Sequence, residues 1–111
     1  MSDFASRTTE SGVVVVQPMG RLNMVAASTL RKQLSGIVDG GSSRIVVDLS
    51  ATEFIDSSGL GALIAGLKIA RQAGGDLCIS APTRQVCTVL ELSNLDRVLR
   101  TCDSVDRAFD V

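Results

Sequence analysis

Histidine, tryptophan and tyrosine are absent from this chain of 111 residues, and three phenylalanines are its whole aromatic content. Without histidine the chain lacks the usual general base, the Ser-His and Cys-His catalytic pairs and any site for phosphohistidine. It also lacks aromatic platforms for stacking bases, and its 11 basic and 12 acidic residues nearly balance. We therefore expect no nucleic acid partner, and a core built from Val, Leu, Ile and Ala.

Cysteines are few and irregularly spaced, at Cys78, Cys87 and Cys102. This pattern fits neither a disulfide framework nor a zinc site, and we interpret the three as reduced thiols, as is typical of the cytosol. No apolar run approaches the ~18 residues of a membrane span, and the N-terminus shows no signal peptide pattern. We expect a single cytoplasmic domain over residues 1–111, without membrane insertion, metal or cofactor.

The hydrophobic pattern predicts an α/β fold with the element order β-β-α-β-α-β-α-β-α. Helices between strands imply parallel neighbours, and a leading hairpin makes the predicted sheet of four to five strands mixed. About four helices are expected. The predicted strands cover residues 4–9, 13–16, 44–49, 77–80 and 98–101, and the predicted helices cover residues 22–38, 57–73, 81–92 and 104–109.

The most informative segment is the run Phe-Ile-Asp-Ser-Ser-Gly-Leu-Gly at residues 54–61, placed between a predicted strand and a predicted helix. A helix N-terminus presents unpaired amides and a partial positive charge, which tolerate a phosphate on a hydroxyl there. Ser57 is therefore a candidate phosphorylation site. From the residues alone Ser57 is either a phosphoacceptor or simply a helix cap, and Ser58 is a competing candidate that caps the helix while Ser57 points outward.

The neighbouring residues of this run favour a structural or docking role over catalysis. We interpret Asp56 as a residue that holds the loop. Gly59 and Gly61 serve either tight packing or close approach by a partner, because glycine in a helix otherwise costs up to ~1 kcal/mol. The run matches no nucleotide-binding glycine loop and no hydrolase nucleophile turn.

The predicted second helix has two faces of low polarity. Leu60, Leu63, Ile64 and Leu67 form the expected core stripe. On the opposite side, where a surface helix is normally charged, stand Ala62, Ala65, Gly66 and Ile69. The pattern predicts a docking face, unless another part of the chain covers it. We expect Arg31, on the first helix, to lie away from this face.

The order of elements, the turn Gly20-Arg21-Leu22-Asn23 and the run Asp56-Ser57-Ser58-Gly59-Leu60-Gly61 resemble the STAS domain, and more narrowly a bacterial anti-sigma-factor antagonist. The resemblance spans residues 13–109. It implies a partner-switching cycle. The unphosphorylated domain would bind an anti-sigma factor that is also a serine kinase, which frees a sigma factor. Phosphorylation would release the domain, and a metal-dependent phosphatase would reset it.

The resemblance also implies which residues act. The phosphoacceptor would be Ser57, with Ser58 the runner-up, and many relatives carry Asp where this chain has Asn23, so a phosphate here would meet less repulsion. Two alternatives stay open. One is a STAS module of a transport or stress-signalling complex without phosphorylation, and the other is a small thiol or phosphotransfer enzyme using Cys78 or Cys87. The expected partner-binding residues are Asn23, Asp56, Ser57, Ser58, Gly59, Gly61, Ala62, Ala65 and Ile69.

Overall fold

Strands and helices alternate along the part of the chain that the computed structural model describes, residues 4–102. The helices are α1 (Met24–Asp39), α2 (Ser57–Gln72) and α3 (Arg84–Leu92), and a 3₁₀ turn at Leu95–Arg97 follows α3. The strands are β1 (Ala5–Thr8), β2 (Val14–Gln17), β3 (Gly20–Leu22), β4 (Arg44–Asp48), β5 (Thr52–Ile55), β6 (Asp76–Ser80) and β7 (Thr101–Cys102). The predicted α/β class is confirmed.

Five of the strands form a mixed sheet in the order β1-β2-β4-β6-β7. β1 and β2 pair antiparallel as the predicted leading hairpin, and the other pairs are parallel because α1, α2 and α3 provide the crossovers. The turn between β1 and β2 contains Gly12 at φ +86°, a conformation that glycine adopts without a Cβ penalty. The predicted mixed sheet is therefore confirmed.

The central strand β4 is buried on both faces, as its continuous apolar run predicts. Ile45 and Val47 point into the main core beneath the helices, and Val46 points to the opposite side of the sheet. On that opposite side a smaller cluster unites Val46 with Val13, Val15, Cys78 and Cys102. Cys78 and Cys102 thus belong to the apolar interior, as expected for structural thiols.

A second, two-stranded parallel sheet of β3 and β5 was not predicted. The segment Gly20-Arg21-Leu22-Asn23, which was expected to be a turn, instead forms strand β3 over its first three residues, and Asn23 lies between β3 and α1. Likewise, β5 intervenes between β4 and α2 in the stretch expected to be a loop. Arg21 stacks on the Phe54 ring, with its Cζ 4.4 Å from the ring centroid, across this strand pair.

The helix α2 packs against α1 through a small residue. A Cβ on Gly66 would lie 2.6 Å from Leu34 Cδ1 and 3.1 Å from Leu77 Cδ1, so glycine allows α1 and β6 to approach together. Because α1 covers one flank of α2, Ala62 is fully buried. Gly66 is buried as well, so the predictions that Ala62 and Gly66 face outward are both wrong.

Some boundaries near the end of the chain also differ. The strand predicted at residues 98–101 is the two-residue strand β7, and Leu99 just before it is buried in the core. The helix predicted at residues 104–109 lies outside the described residues. Within residues 4–102, none of the helices has the length and apolar character that a membrane crossing requires.

Candidate functional site

Two parallel strand-to-helix turns lie side by side and form the framework of the site. Leu22 at the end of β3 pairs with Ile55 at the end of β5, and a helix begins two residues after each. The residue between strand and helix is Asn23 in the first turn and Asp56 in the second. The N-termini of α1 and α2, with their unpaired amides, therefore meet at one edge of the molecule.

Asp56 caps α2, which confirms the interpretation that it holds the loop. Its Oδ1 accepts a hydrogen bond from the Gly59 amide at 3.0 Å. Since Asp56 fills the cap position, the alternatives in which Ser57 or Ser58 caps the helix are wrong. Ser57 is exposed at the first position of α2 and Ser58 is half-buried, so the Ser57 hydroxyl is the more accessible of the two.

Gln85 on α3 holds the strand that leads into the serines. Its Oε1 accepts from the Ile55 amide at 3.0 Å, and its Nε2 donates to the Ile55 carbonyl at 3.4 Å. The side chain thereby replaces the strand partner that β5 lacks on that edge. Gln85 escapes sequence analysis because a glutamine thirty residues away carries no local signal of this contact.

Gly59 serves packing beneath the site. A Cβ there would lie 2.6 Å from both the Leu22 carbonyl oxygen and Ile55 Cγ1, so any larger residue would push β3 away from α2. Gly59 is buried. Its predicted place on the partner-facing surface is therefore wrong, and of the two explanations offered for this glycine, tight packing is confirmed.

A groove of about 290 Å³ runs between the first turns of α1 and α2. Contrary to expectation, Arg31 is part of it. A Cβ built on Gly61 would lie 3.5 Å from Arg31 Nη2, so the guanidinium lies over the first turns of α2. The groove is lined by Met24, Ser28 and Arg31 on the α1 side and by Ser57, Ser58 and Gly61 on the α2 side.

Two exposed apolar side chains lie at the start of α1, and one of them, Met24, lines the groove; neither was expected from the sequence. Met24 and Val25, in the first turn of α1, are 71% and 68% exposed. Large apolar residues at such exposure, beside the accessible Ser57, are typical of a surface that a partner covers. Farther along α2, Ala65 and Ile69 are half-buried, so they lie at the surface as predicted.

The thiols are poorly placed for chemistry. Burial, reinforced by the neighbouring Cys102 thiol, raises the pKa of Cys78 to about 12. At neutral pH a thiol with this pKa is protonated, and a protonated thiol is a poor nucleophile. Cys87 is half-buried on α3 and is not among the residues that line the groove. The geometry thus gives no support to a thiol enzyme using Cys78.

Comparison with known proteins agrees with this architecture. The STAS domain family profile matches residues 5–108. A Thermotoga maritima protein provisionally named an anti-sigma factor antagonist is 32% identical over 99 residues, 88% of each chain. The anti-sigma F factor antagonist of Paenibacillus polymyxa is 28% identical over 94 residues, which cover 84% of this chain and 80% of that one.

Solved structures give the same result. The crystal structure of the Thermotoga maritima protein superposes with a TM-score of 0.86 at 30% identity, covering 96% of this chain and 92% of the other. The Bacillus cell fate determinant SpoIIAA in its phosphorylated form shares the fold, with a TM-score of 0.73, 21% identity and 96% of each chain covered.

The fold and the match over residues 5–108 define the class: this chain belongs to the STAS domain family. The relatives it matches are named anti-sigma factor antagonists, which confirms the resemblance drawn from the sequence.

Proposed function

We propose that this protein is an anti-sigma-factor antagonist whose binding is switched by phosphorylation of Ser57. The main support for this proposal is the position of Ser57, which is exposed at the start of α2. Ser57 lines a groove together with the exposed apolar residue Met24. Relatives named for this function over most of their length support the proposal. In this view the unphosphorylated protein binds an anti-sigma factor and thereby frees a sigma factor.

The partner would carry the chemistry. An anti-sigma factor with serine kinase activity supplies ATP and the catalytic groups, so the domain needs no base or cofactor of its own. A metal-dependent phosphatase would reset the protein, and the cycle would run in the cytoplasm. The protein itself is then a binding switch and not an enzyme. Asp56, already engaged by the Gly59 amide, fits a role in holding Ser57 in place.

The docking surface we propose follows the groove and continues along α2. It includes Asn23, Met24, Ser57, Ser58 and Gly61 near the helix starts, and Ala65 and Ile69 farther along. These side chains are small, apolar or uncharged, and their exposure ranges from half-buried to exposed. A close-fitting partner could approach the backbone here at little desolvation cost. Gly59 and Ala62, being buried, support this surface from beneath.

Phosphorylation should weaken binding without unfolding the domain. The amides and dipole at the start of α2 favour a local anion by roughly 0.3–1 kcal/mol. Inside an interface, however, the ~−2 charge of a phosphate must be desolvated or must meet acidic groups. We expect the affinity of phosphorylated protein, or of Ser57→Asp, to fall well over tenfold with little change in Tm.

Incubation with ATP and the cognate anti-sigma factor, followed by intact mass and peptide fragmentation, tests the proposal. The wild type and Ser58→Ala should gain one phosphate on Ser57, and Ser57→Ala should gain none while still binding the kinase. Stoichiometric labelling of Ser57→Ala at Ser58 would show that Ser58, and not Ser57, is the phosphoacceptor. Binding without any phosphate transfer would instead favour a STAS module of another complex.

A further inference from the structure

Arg31 is a charged residue that lines the groove containing Ser57 and has no assigned role. It belongs to α1, more than twenty residues before Ser57, and its guanidinium lies over Gly61 on α2. On a helix, positions three and four apart share a face, so Ser57 and Ser58 lie one turn before Gly61 on the same side. The guanidinium, Ser57, Ser58 and Gly61 therefore line the same groove.

The surroundings leave the charge of Arg31 available. Of the described residues that line the groove, Arg31 alone is charged, and the others are small, polar or apolar. Within residues 4–102 its guanidinium makes no hydrogen bond or ion pair, whereas Arg71 and Arg100 both reach Asp76. A planar guanidinium suits a phosphate, because it can donate two parallel hydrogen bonds.

A small residue at position 61 permits this placement. A Cβ there would make ordinary contact with Nη2 at 3.5 Å, and a longer side chain would occupy the space through which the guanidinium crosses α2. Gly61 thus has a role distinct from that of Gly59: it keeps a path open between Arg31 and the start of α2.

We propose that Arg31 is the intramolecular partner of the phosphate on Ser57, so that phosphorylation engages the guanidinium and withdraws it from the docking surface. This inference rests on the proposed function. It adds a second element to the switch: besides adding negative charge, the phosphate removes a positive charge that the unphosphorylated protein offers to its partner. The contact also stabilises the phosphate in the folded domain.

The test uses protein carrying phosphoserine at position 57, installed during translation so that no kinase is required. The phosphate is titrated by ³¹P NMR in otherwise wild-type protein and in Arg31→Gln, Arg31→Lys and Lys32→Gln. Lys32 is the matched control, because it is an exposed cation next along α1 and does not line the groove. Circular dichroism verifies that each variant is folded.

A nearby cation favours the dianion, so the phosphate should release its second proton more readily when Arg31 is present. We expect Arg31→Gln to lower that proton dissociation constant by about threefold or more, Lys32→Gln to leave it unchanged and Arg31→Lys to fall between. The side-chain Nε–H signal of Arg31 should move as the phosphate titrates.

Equal titration in all four proteins would overturn the proposal, as would an effect of Lys32→Gln equal to that of Arg31→Gln. A dependence on Arg31 found with phosphoserine at position 58 but not at 57 would overturn the assignment to Ser57. Because the phosphate is installed without a kinase, failure of kinase labelling would overturn the proposed function and leave this result unaffected.

Discussion

Asn23 and Asp56 occupy matching positions in two parallel strand-to-helix turns. Each follows one strand of the β3–β5 pair, each has extended backbone angles, and each accepts from the amide three residues on. The distances are 3.2 Å from the Ala26 amide to Asn23 and 3.0 Å from the Gly59 amide to Asp56. The site thus contains two strand-to-helix turns with the same capping geometry, and Ser57 and Ser58 follow the second turn.

The two caps should contribute comparably to stability. Replacing either Asn23 or Asp56 by Ala leaves one helix amide without its partner and should lower the free energy of unfolding by ~1 kcal/mol. Asn23→Asp retains an acceptor and should cost little. Urea denaturation monitored by circular dichroism measures each loss. Ser28→Ala, on the exposed face of α1 after the cap, is the control, and an equal loss there would contradict the capping assignment.

Alanine substitutions at Gly59 and Gly61 should have opposite effects on stability, because the two glycines have different surroundings. Gly59→Ala would drive a Cβ to 2.6 Å from the Leu22 carbonyl oxygen, so β3 must shift, and we expect a loss of roughly 1–3 kcal/mol or more. Gly61→Ala meets Arg31 Nη2 at 3.5 Å and gains helix propensity, so its stability should hold or rise by up to ~1 kcal/mol. Thermal and urea unfolding measure the stability of both variants, and an equal loss of stability in the two would contradict this difference between the glycines.

Much of the fold follows from local patterns in the chain. The apolar run of β4 and the spacing of Leu60, Leu63 and Leu67 are repeated over enough residues to predict a buried strand and a helix. The run of residues 56–61 likewise predicted that Ser57 lies at the start of a helix, where it is exposed. In each case the signal lies within about twenty consecutive residues, where periodicity is defined.

The unpredicted parts depend on contacts between distant segments. β3 and β5 have three and four residues, too few for a periodic signal, and they exist because their register pairs Leu22 with Ile55. Ala62 is buried because α1 crosses α2, which widens the covered arc of α2 beyond its leucine stripe. Arg31 and Gln85 reach the site from other helices, and neither position carries a local pattern that marks this.

The raised pKa of Cys78 predicts that the protein loses stability at alkaline pH. The thiol pKa is 9.0 ordinarily and about 12 in the folded protein, so between these values the folded state keeps a proton that the unfolded chain releases. Its contribution is therefore complete below pH 9.0 and falls as pH rises toward about 12. Cys78→Val should flatten the decline measured by urea unfolding from neutral pH to about pH 10.5. A decline identical to wild type would contradict this assignment.

The surface of α2 beyond the serines offers the most direct test of docking. Ala65 is half-buried one turn after Gly61, and a glutamate there adds bulk and a charge that a closely packed partner must desolvate. We expect Ala65→Glu to keep its circular dichroism spectrum and to lose at least ~2 kcal/mol of anti-sigma factor binding, as a central contact does. Calorimetry of the two purified proteins measures the loss.

The control for this variant must lie off the groove, which excludes Arg31. Lys32→Glu places the same acidic side chain on the exposed side of α1, at a position that does not line the groove containing Ser57 and Ser58. It should bind within about twofold of wild type, since a charge outside the interface core contributes little to affinity. Normal binding by Ala65→Glu would show that the partner does not cover the outer surface of α2. An equal loss in Lys32→Glu would show that the loss comes from added negative charge in general, and would contradict the assignment of Ala65 to the docking surface.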